Sequence, residues 1–114
     1  MKYMLLIHTS GNPDESGSLS EDEQKAILAE YMAISEAAGV VGGDQLQPAA
    51  TATTVRVQDG QALTTDGPFA ETKEELGGYY LYEADDLDSA IELAARIPAA
   101  RSGGAVEVRP IVER

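Results

Sequence analysis

The fold is decided by residues 76–98, LGGYYLYEADDLDSAIELAARIP, which predict one strand followed directly by one helix. The run YYLY at 79–82 is typical of a strand in the interior of a sheet. Asp85 or Asp86 then caps a helix whose apolar residues recur at spacings of three and four, and Pro98 ends it. The residues predicted to form the buried stripe of this helix are Leu87, Ala90, Ile91, Ala94 and Ile97.

The amino-terminal part of the chain has the same order of strand and helix. Residues 3–7 are continuously apolar, and residues 11–18 form a turn-rich loop. The segment Ser20-Glu21-Asp22-Glu23 matches a capping box, which predicts a helix over 20–38. Its apolar residues lie at helical spacing, so the helix is expected to pack on one side: Ile27, Leu28, Tyr31, Met32 and Ile34.

The remaining segments predict strands. Residues 40–46 form a short strand, residues 53–57 and 62–65 flank the hairpin turn Asp59-Gly60, and residues 106–112 form the last strand. The resulting order predicts an α+β fold, a ferredoxin-like βαββαβ arrangement with a β-hairpin inserted between its halves. We expect a single domain over residues 1–114, with an antiparallel sheet and both helices on one face.

Bulky apolar side chains lie on both faces of this predicted sheet. Two helices can cover only one face, and each large apolar side chain left in water on the other forgoes about 1.5–3 kcal/mol. A second copy of the chain, laid face to face about a two-fold axis, is the simplest cover. We therefore expect a homodimer through the sheet faces; the alternative is that the hairpin and loops fold over the bare face.

Composition excludes several classes of function. The 114 residues carry 20 acidic and 8 basic side chains, a net charge of -12, so neither nucleic acid nor an anionic membrane is an expected partner. There is no cysteine and only one histidine, which excludes disulfides and cysteine- or multi-histidine metal sites. We predict no metal and no cofactor. The short apolar run at the amino terminus resembles neither a signal peptide nor a membrane span, so we expect a cytoplasmic protein.

The segment Asp66-Gly67-Pro68-Phe69-Ala70-Glu71-Thr72-Lys73-Glu74 resembles the YCII-related family, in its branch named for the sequence DGPF. The resemblance extends over the chain, through MKYMLLI at 1–7, LGGYY at 76–80 and VEVRPI at 106–111. It implies a dimeric α/β barrel of ferredoxin-like subunits. It implies no known reaction, because the family is largely uncharacterised.

The resemblance bears on function in two further ways. Related members have been proposed to act through a histidine on the first helix and an aspartate after the second. Here residues 20–38 contain no histidine and Pro98-Ala99-Ala100 contains no aspartate, so that pair is not carried over. Some members of the branch are encoded near extracytoplasmic-function sigma factors, which implies a regulatory or stress-linked role as an alternative to catalysis.

His8 and Asp66 are the candidate catalytic residues. Histidine is the side chain that exchanges protons near neutral pH, and His8 lies where the first strand ends, on the same face as Met4 and Leu6. A general base needs a carboxylate to orient it, and Asp66 is the candidate for that role. The alternative is that His8 only forms a hydrogen bond to a loop.

Gly67, Phe69, Lys73 and Arg109 are the candidate ligand contacts. The DGPF turn lines a pocket with Asp66 and its backbone amides, or it only redirects the chain while Phe69 fills the core. Lys73 lies in a charged run that forms a pocket rim or a solvated surface. Arg109 requires a carboxylate, from the protein as the expected case or from an anionic substrate.

Two functions therefore remain open. One is a cofactor-free small-molecule enzyme that uses His8 and Asp66 in a pocket between the sheet and the helices. The other is a non-catalytic dimeric module that binds a ligand or regulates a partner, with an architectural DGPF turn. An open, polar pocket near His8 favours the first, and a pocket sealed by Phe69 and tyrosine side chains favours the second.

Overall fold

The computed structural model describes residues 1–9, 20–70 and 74–114. Lys73 and the predicted loop at 11–18 lie outside the described residues. The elements are β1 (Lys2–Thr9), α1 (Glu21–Ser35), β2 (Val40–Gln45), β3 (Thr53–Gln58), β4 (Gln61–Asp66), β5 (Glu75–Glu83), α2 (Leu87–Arg96) and β6 (Ala105–Pro110), with single 3-10 turns at Ala49–Thr51 and Pro98–Arg101.

Four strands form one antiparallel sheet in the order β2-β5-β1-β6. The two central strands, β1 and β5, are the apolar strands predicted at 3–7 and 76–82, each of which precedes a helix in the sequence. The α+β class is confirmed, and the strand order is compatible with a ferredoxin-like arrangement.

The core lies on one face of this sheet. Along β1 the side chains alternate: Tyr3, Leu5 and Ile7 are buried, whereas Met4, Leu6 and His8 point to the opposite face. Both helices cover the same face, because their buried residues join those of the strands in one cluster. The cluster consists of Tyr3, Leu5, Ile7, Ile34, Tyr80, Ala84, Ala90, Leu93, Ala94, Ile97 and Ala99.

The helix α2 is rotated relative to the prediction. Its cap is Asp86, whose side chain accepts the N–H of Ser89 at 2.8 Å. The predicted burial of Ala90, Ala94 and Ile97 is confirmed. Leu87 and Ile91, however, are about half-exposed, and Leu93 is buried in their place. With 3.6 residues per turn, Ile91 lies about 100° around the helix from Ala90, outside a narrow stripe centred on positions 90, 93, 94 and 97. Neither described helix has the length and apolar composition to span a bilayer.

The helix α1 begins as predicted and packs less closely than predicted. Ser20 caps it by accepting the N–H of Glu23 at 3.1 Å. It ends at Ser35, three residues before the predicted end, and a turn containing Gly39 at φ +91° leads into β2. Of its apolar residues only Ile34 is fully buried, while Leu28 and Met32 are each 56% exposed. The helix therefore stands off from the sheet.

The strands β3 and β4 form a separate two-stranded antiparallel sheet, hereafter the hairpin arm (residues 53–66). Asp59 and Gly60 at its turn have φ values of +51° and +78°, as a two-residue turn of type I′ requires. The arm makes most of its contacts within itself. The molecule measures 45 × 43 × 19 Å and has a radius of gyration of 16.0 Å. A compact chain of this length has a radius of about 13 Å.

Candidate functional site

Two concave surfaces lie on opposite faces of the sheet. The first, hereafter the α1 cleft, lies between α1 and the strands β2 and β5 and has a volume of about 470 Å³. The second, hereafter the open-face concavity, lies on the face that the helices leave bare and is wider, about 1430 Å³. The two surfaces are lined by different types of side chain.

One wall of the α1 cleft is a face of the helix. Ile27, Leu28, Tyr31 and Met32 line it, because their spacing of three and four places them on one side of α1. Leu28 and Met32 are the apolar residues that the sheet does not cover. The stand-off of α1 therefore exposes an apolar surface toward the cleft.

The opposite wall is largely backbone. Gly43 and Gly78 line the cleft from β2 and β5, on the same sheet face as Ile7 and Tyr80. A Cβ atom on Gly43 would lie 2.4 Å from the carbonyl oxygen of Tyr79, and one on Gly78 would lie 3.0 Å from that of Asp44. Close approach of β2 and β5 thus requires glycine at these positions, and the missing side chains leave the space beneath α1.

The α1 cleft is electrically neutral where it faces the helix. Burial raises the pKa of Tyr31 and, together with its neighbour Tyr31, that of Tyr80, so both phenols keep their protons at neutral pH. The Tyr80 hydroxyl donates to the carbonyl oxygen of Tyr31 at 2.8 Å. Asp44 also lines the cleft, but its pairing with Tyr79 directs its side chain to the other sheet face, where the carboxylate accepts the Tyr79 hydroxyl at 3.3 Å. The chemistry available in the cleft is apolar contact and neutral hydrogen bonding.

The open-face concavity contains the ionisable side chains. The pairing of β1 with β6 places Leu6 opposite Glu107 and Met4 opposite Arg109, so Glu107 and Arg109 share a face with His8. His8 Nε2 lies 3.7 Å from Glu107 Oε1, and the Arg109 guanidinium donates to the same carboxylate. Within the described ranges no three histidine, aspartate or glutamate side chains converge into a metal site.

The predicted catalytic pair is arranged differently from the expectation. His8 does not line the cleft beneath the helices: alternation along β1 places it on the other face. Asp66 ends β4, is exposed, and is not among the residues that line the concavity around His8. The carboxylate beside His8 belongs to Glu107, which the sequence analysis missed. The antiparallel pairing of the first and last strands is the signal that could have found it.

Three of the four candidate ligand contacts, Gly67, Phe69 and Arg109, lie within the described residues. Gly67, at φ +99°, donates its N–H to Ala52 O at 2.7 Å and accepts the Thr54 hydroxyl at 2.8 Å. Phe69 is 80% exposed, so the expectation that it fills the core is wrong. It follows the hairpin arm, which stands away from the core, and it borders the open-face concavity. The protein partner expected for Arg109 is Glu107.

Comparison with known proteins identifies relatives over the whole chain. The sequence pattern of the YCII-related domain matches residues 1–114. The chain is also 34% identical over 117 aligned positions to an uncharacterized protein, R00369, of Rhizobium meliloti (strain 1021). That alignment covers 97% of this chain and 92% of the relative. The chain therefore belongs to the YCII-related family.

Proposed function

We propose that this YCII-related protein is a module that binds a small, neutral and largely apolar molecule in the α1 cleft. The observation that carries the proposal is the cleft itself: about 470 Å³ between an apolar helix face and a backbone wall. Ligand pockets commonly occupy about 300–1,000 Å³ and are lined mainly by apolar groups with a few polar ones. Protein interiors are otherwise close-packed, with few voids larger than a water molecule.

The chemistry of the walls selects the ligand. A molecule that covers Leu28 and Met32 removes apolar surface from water, at a gain of about 25 cal/mol for each Å². Thr9, Ser35 and Gln45 supply hydroxyl and amide groups at the border, so a ligand with one or two polar atoms is accommodated. The net charge of -12 disfavours an anion.

A neutral fluorescent probe, N-phenyl-1-naphthylamine, tests this proposal by titration. The informative variant is Leu28→Gln, and the matched control is Ala29→Gln, an exposed residue on the same helix that does not line the cleft. We expect saturable binding to the wild type and to Ala29→Gln, and a loss of affinity of at least fivefold in Leu28→Gln. Absence of binding to the wild type, or equal binding to both variants, would refute the proposal.

The architecture of the assembly is part of the same proposal. We place the chain in the DGPF-type branch, on the sequence at 66–69, and infer a ferredoxin-like subunit with an inserted hairpin. Two subunits would pack their bare sheet faces together as a dimeric α/β barrel. Met4, Leu6 and Leu81, which are only partly buried on that face, support this interface. Light scattering should give twice the chain mass of 12.0 kDa; a single-chain mass would contradict it.

A second function, acid–base catalysis on a small substrate, is favoured by one observation on the open face. His8 lies 3.7 Å from a carboxylate of Glu107 that also pairs with Arg109. A carboxylate orients an imidazole for proton transfer at about 2.6–3.2 Å, so a small movement of either side chain would bring Glu107 into the role that the sequence suggested for Asp66. If a compound retained by the purified protein is converted, His8→Gln should abolish the conversion. Undiminished turnover by that variant would exclude this function and leave the non-catalytic, ligand-binding or regulatory one.

A further inference from the structure

The hairpin arm has two faces of different chemistry. Val55 and Val57 lie on one face, opposite Thr64 and Ala62 of the neighbouring strand. Arg56 lies on the other face, opposite Leu63. The face with the two valines, hereafter the valine face, has one charged residue among its paired positions, Asp66, which lies opposite Thr53 at the base of the arm. Its valines are nevertheless 59% and 69% exposed.

An arm of this kind is not stable by itself. A two-stranded hairpin alone is at best marginally stable in water and needs a further layer or strand to pack against. The arm packs mainly on itself, and the radius of gyration of the molecule, 16.0 Å, exceeds the value of about 13 Å for a compact chain of this length. The described part of the chain therefore leaves the valine face uncovered.

The dimensions of the molecule indicate what covers this face. Four strands at about 4.8 Å spacing make the main sheet about 19 Å wide, and strands of six to nine residues give a footprint of roughly 450 Å². A standard interface buries about 800 Å² on each partner. The footprint of the sheet face alone is about half of that area, and one face of the arm adds about 200 Å², so a dimer that includes the arm comes closer to a standard interface. Each strand of the arm is six residues long and thus spans about 20 Å, the width of the sheet.

We propose that the hairpin arm of each subunit lies across the second copy of this chain, with its valine face on the border of the partner's open sheet face. Exchange of two arms about a two-fold axis covers both sets of valines at once. The proposal rests on the proposed homodimer and adds the segment that holds it together. It is independent of ligand binding, because the α1 cleft lies on the opposite face of the sheet.

Two pairs of lysine substitutions test the arm. The variant Val55→Lys/Val57→Lys places two charges on the valine face, and the matched control Gln58→Lys/Gln61→Lys places the same charges on the opposing pair at the arm tip, on the other face. Sedimentation over a dilution series should show at least a hundredfold weaker dimer for the first variant and less than a threefold change for the control. Equal dissociation constants for the two variants would overturn the proposal.

Hydrogen exchange on the wild type provides a test that requires no substitution. Peptides covering residues 53–66 should exchange more slowly when the protein concentration is raised through the dimer dissociation constant, because the arm becomes covered. If the hydrogen-exchange rates of the arm are unchanged across a proven monomer–dimer transition, the proposal for the arm is overturned and the dimer itself is not. Probe binding to the α1 cleft should be the same in all variants, which separates failure of this proposal from failure of the proposed function.

Discussion

Replacement of Gly104 by alanine tests how closely the start of β6 approaches the end of β1. A Cβ atom at this position would lie 2.3 Å from the carbonyl oxygen of His8 and 3.0 Å from that of Ala99. The first distance is about 1 Å short of an ordinary contact, and both oxygens belong to the backbone, so neither can rotate away. The φ angle of Gly104 is not in the left-handed region, so steric overlap alone should determine the effect.

The expected cost follows from these distances. Overpacking in a well-packed region lowers the free energy of unfolding by about 1–3 kcal/mol. Alanine also lowers the conformational entropy of the unfolded chain, which offsets at most about 1 kcal/mol of that loss. Because two backbone segments must separate, we expect Gly104→Ala to lower the free energy of unfolding by about 2 kcal/mol. For a chain of this size that corresponds to a fall in Tm of about 8 °C.

The matched control is Gly42→Ala. A Cβ atom there meets only Leu81 Cδ1, at the ordinary distance of 3.5 Å, so the free energy of unfolding should change by less than about 1 kcal/mol. Both variants are compared with the wild type by urea unfolding, followed by far-UV circular dichroism at one protein concentration. Free energies of unfolding that agree within about 0.5 kcal/mol for the two variants would refute the inference that Gly104 is required for space.

Two further predictions concern the helices. Hydrogen bonds from the backbone and, to a smaller extent, from the side chain of Ser89 lower the pKa of Asp86. The ionised Asp86 carboxylate therefore stabilises the folded chain above the pKa of the unfolded state, and this stabilisation is lost as the pH falls through the pKa of the folded state. The variant Asp86→Asn keeps a capping side chain, so its Tm should fall less steeply than that of the wild type as the pH is lowered below 4. Parallel curves of Tm against pH for the two proteins would contradict this. Tyr80→Phe removes the hydroxyl that donates to Tyr31 O and should cost about 0.5–1.5 kcal/mol and weaken probe binding in the α1 cleft. Tyr79→Phe, whose hydroxyl reaches exposed Asp44, is the control, and equal losses in urea unfolding would contradict the role assigned to Tyr80.

The sequence predicts those features of the fold that depend on local patterns. Ser20 and Asp86 cap the two helices, and Asp59-Gly60 turns the hairpin, because each depends on residues within a few positions of itself. The alternation of β1 likewise places His8 with Met4 and Leu6. These signals require no knowledge of what each element packs against.

Features set by packing between elements were not predictable in the same way. The spacing of Leu28 and Met32 is that of a buried helix face, but the stand-off of α1 leaves both half-exposed. Phe69 is a large apolar residue of the kind usually found in a core. It follows the hairpin arm, where a single chain has no core, and is therefore exposed. Glu107 lies next to His8 only because the first and last strands pair, a contact between positions about one hundred residues apart.

The alternation of β1 also determines which functions depend on assembly. The same strand that buries Tyr3, Leu5 and Ile7 under the helices must direct His8 to the open face. There the side chains of His8 and Glu107 lie 3.7 Å apart and are both partly exposed in a single chain, so water screens the effect of the carboxylate on the imidazole. We therefore expect acid–base chemistry by His8 to depend on the proposed second subunit, which would exclude water from the open face, whereas the proposed binding in the α1 cleft needs no second subunit. A variant that abolishes the proposed dimer should for this reason eliminate any His8-dependent turnover and leave probe affinity unchanged. Loss of both together would contradict the assignment of the two faces to separate functions.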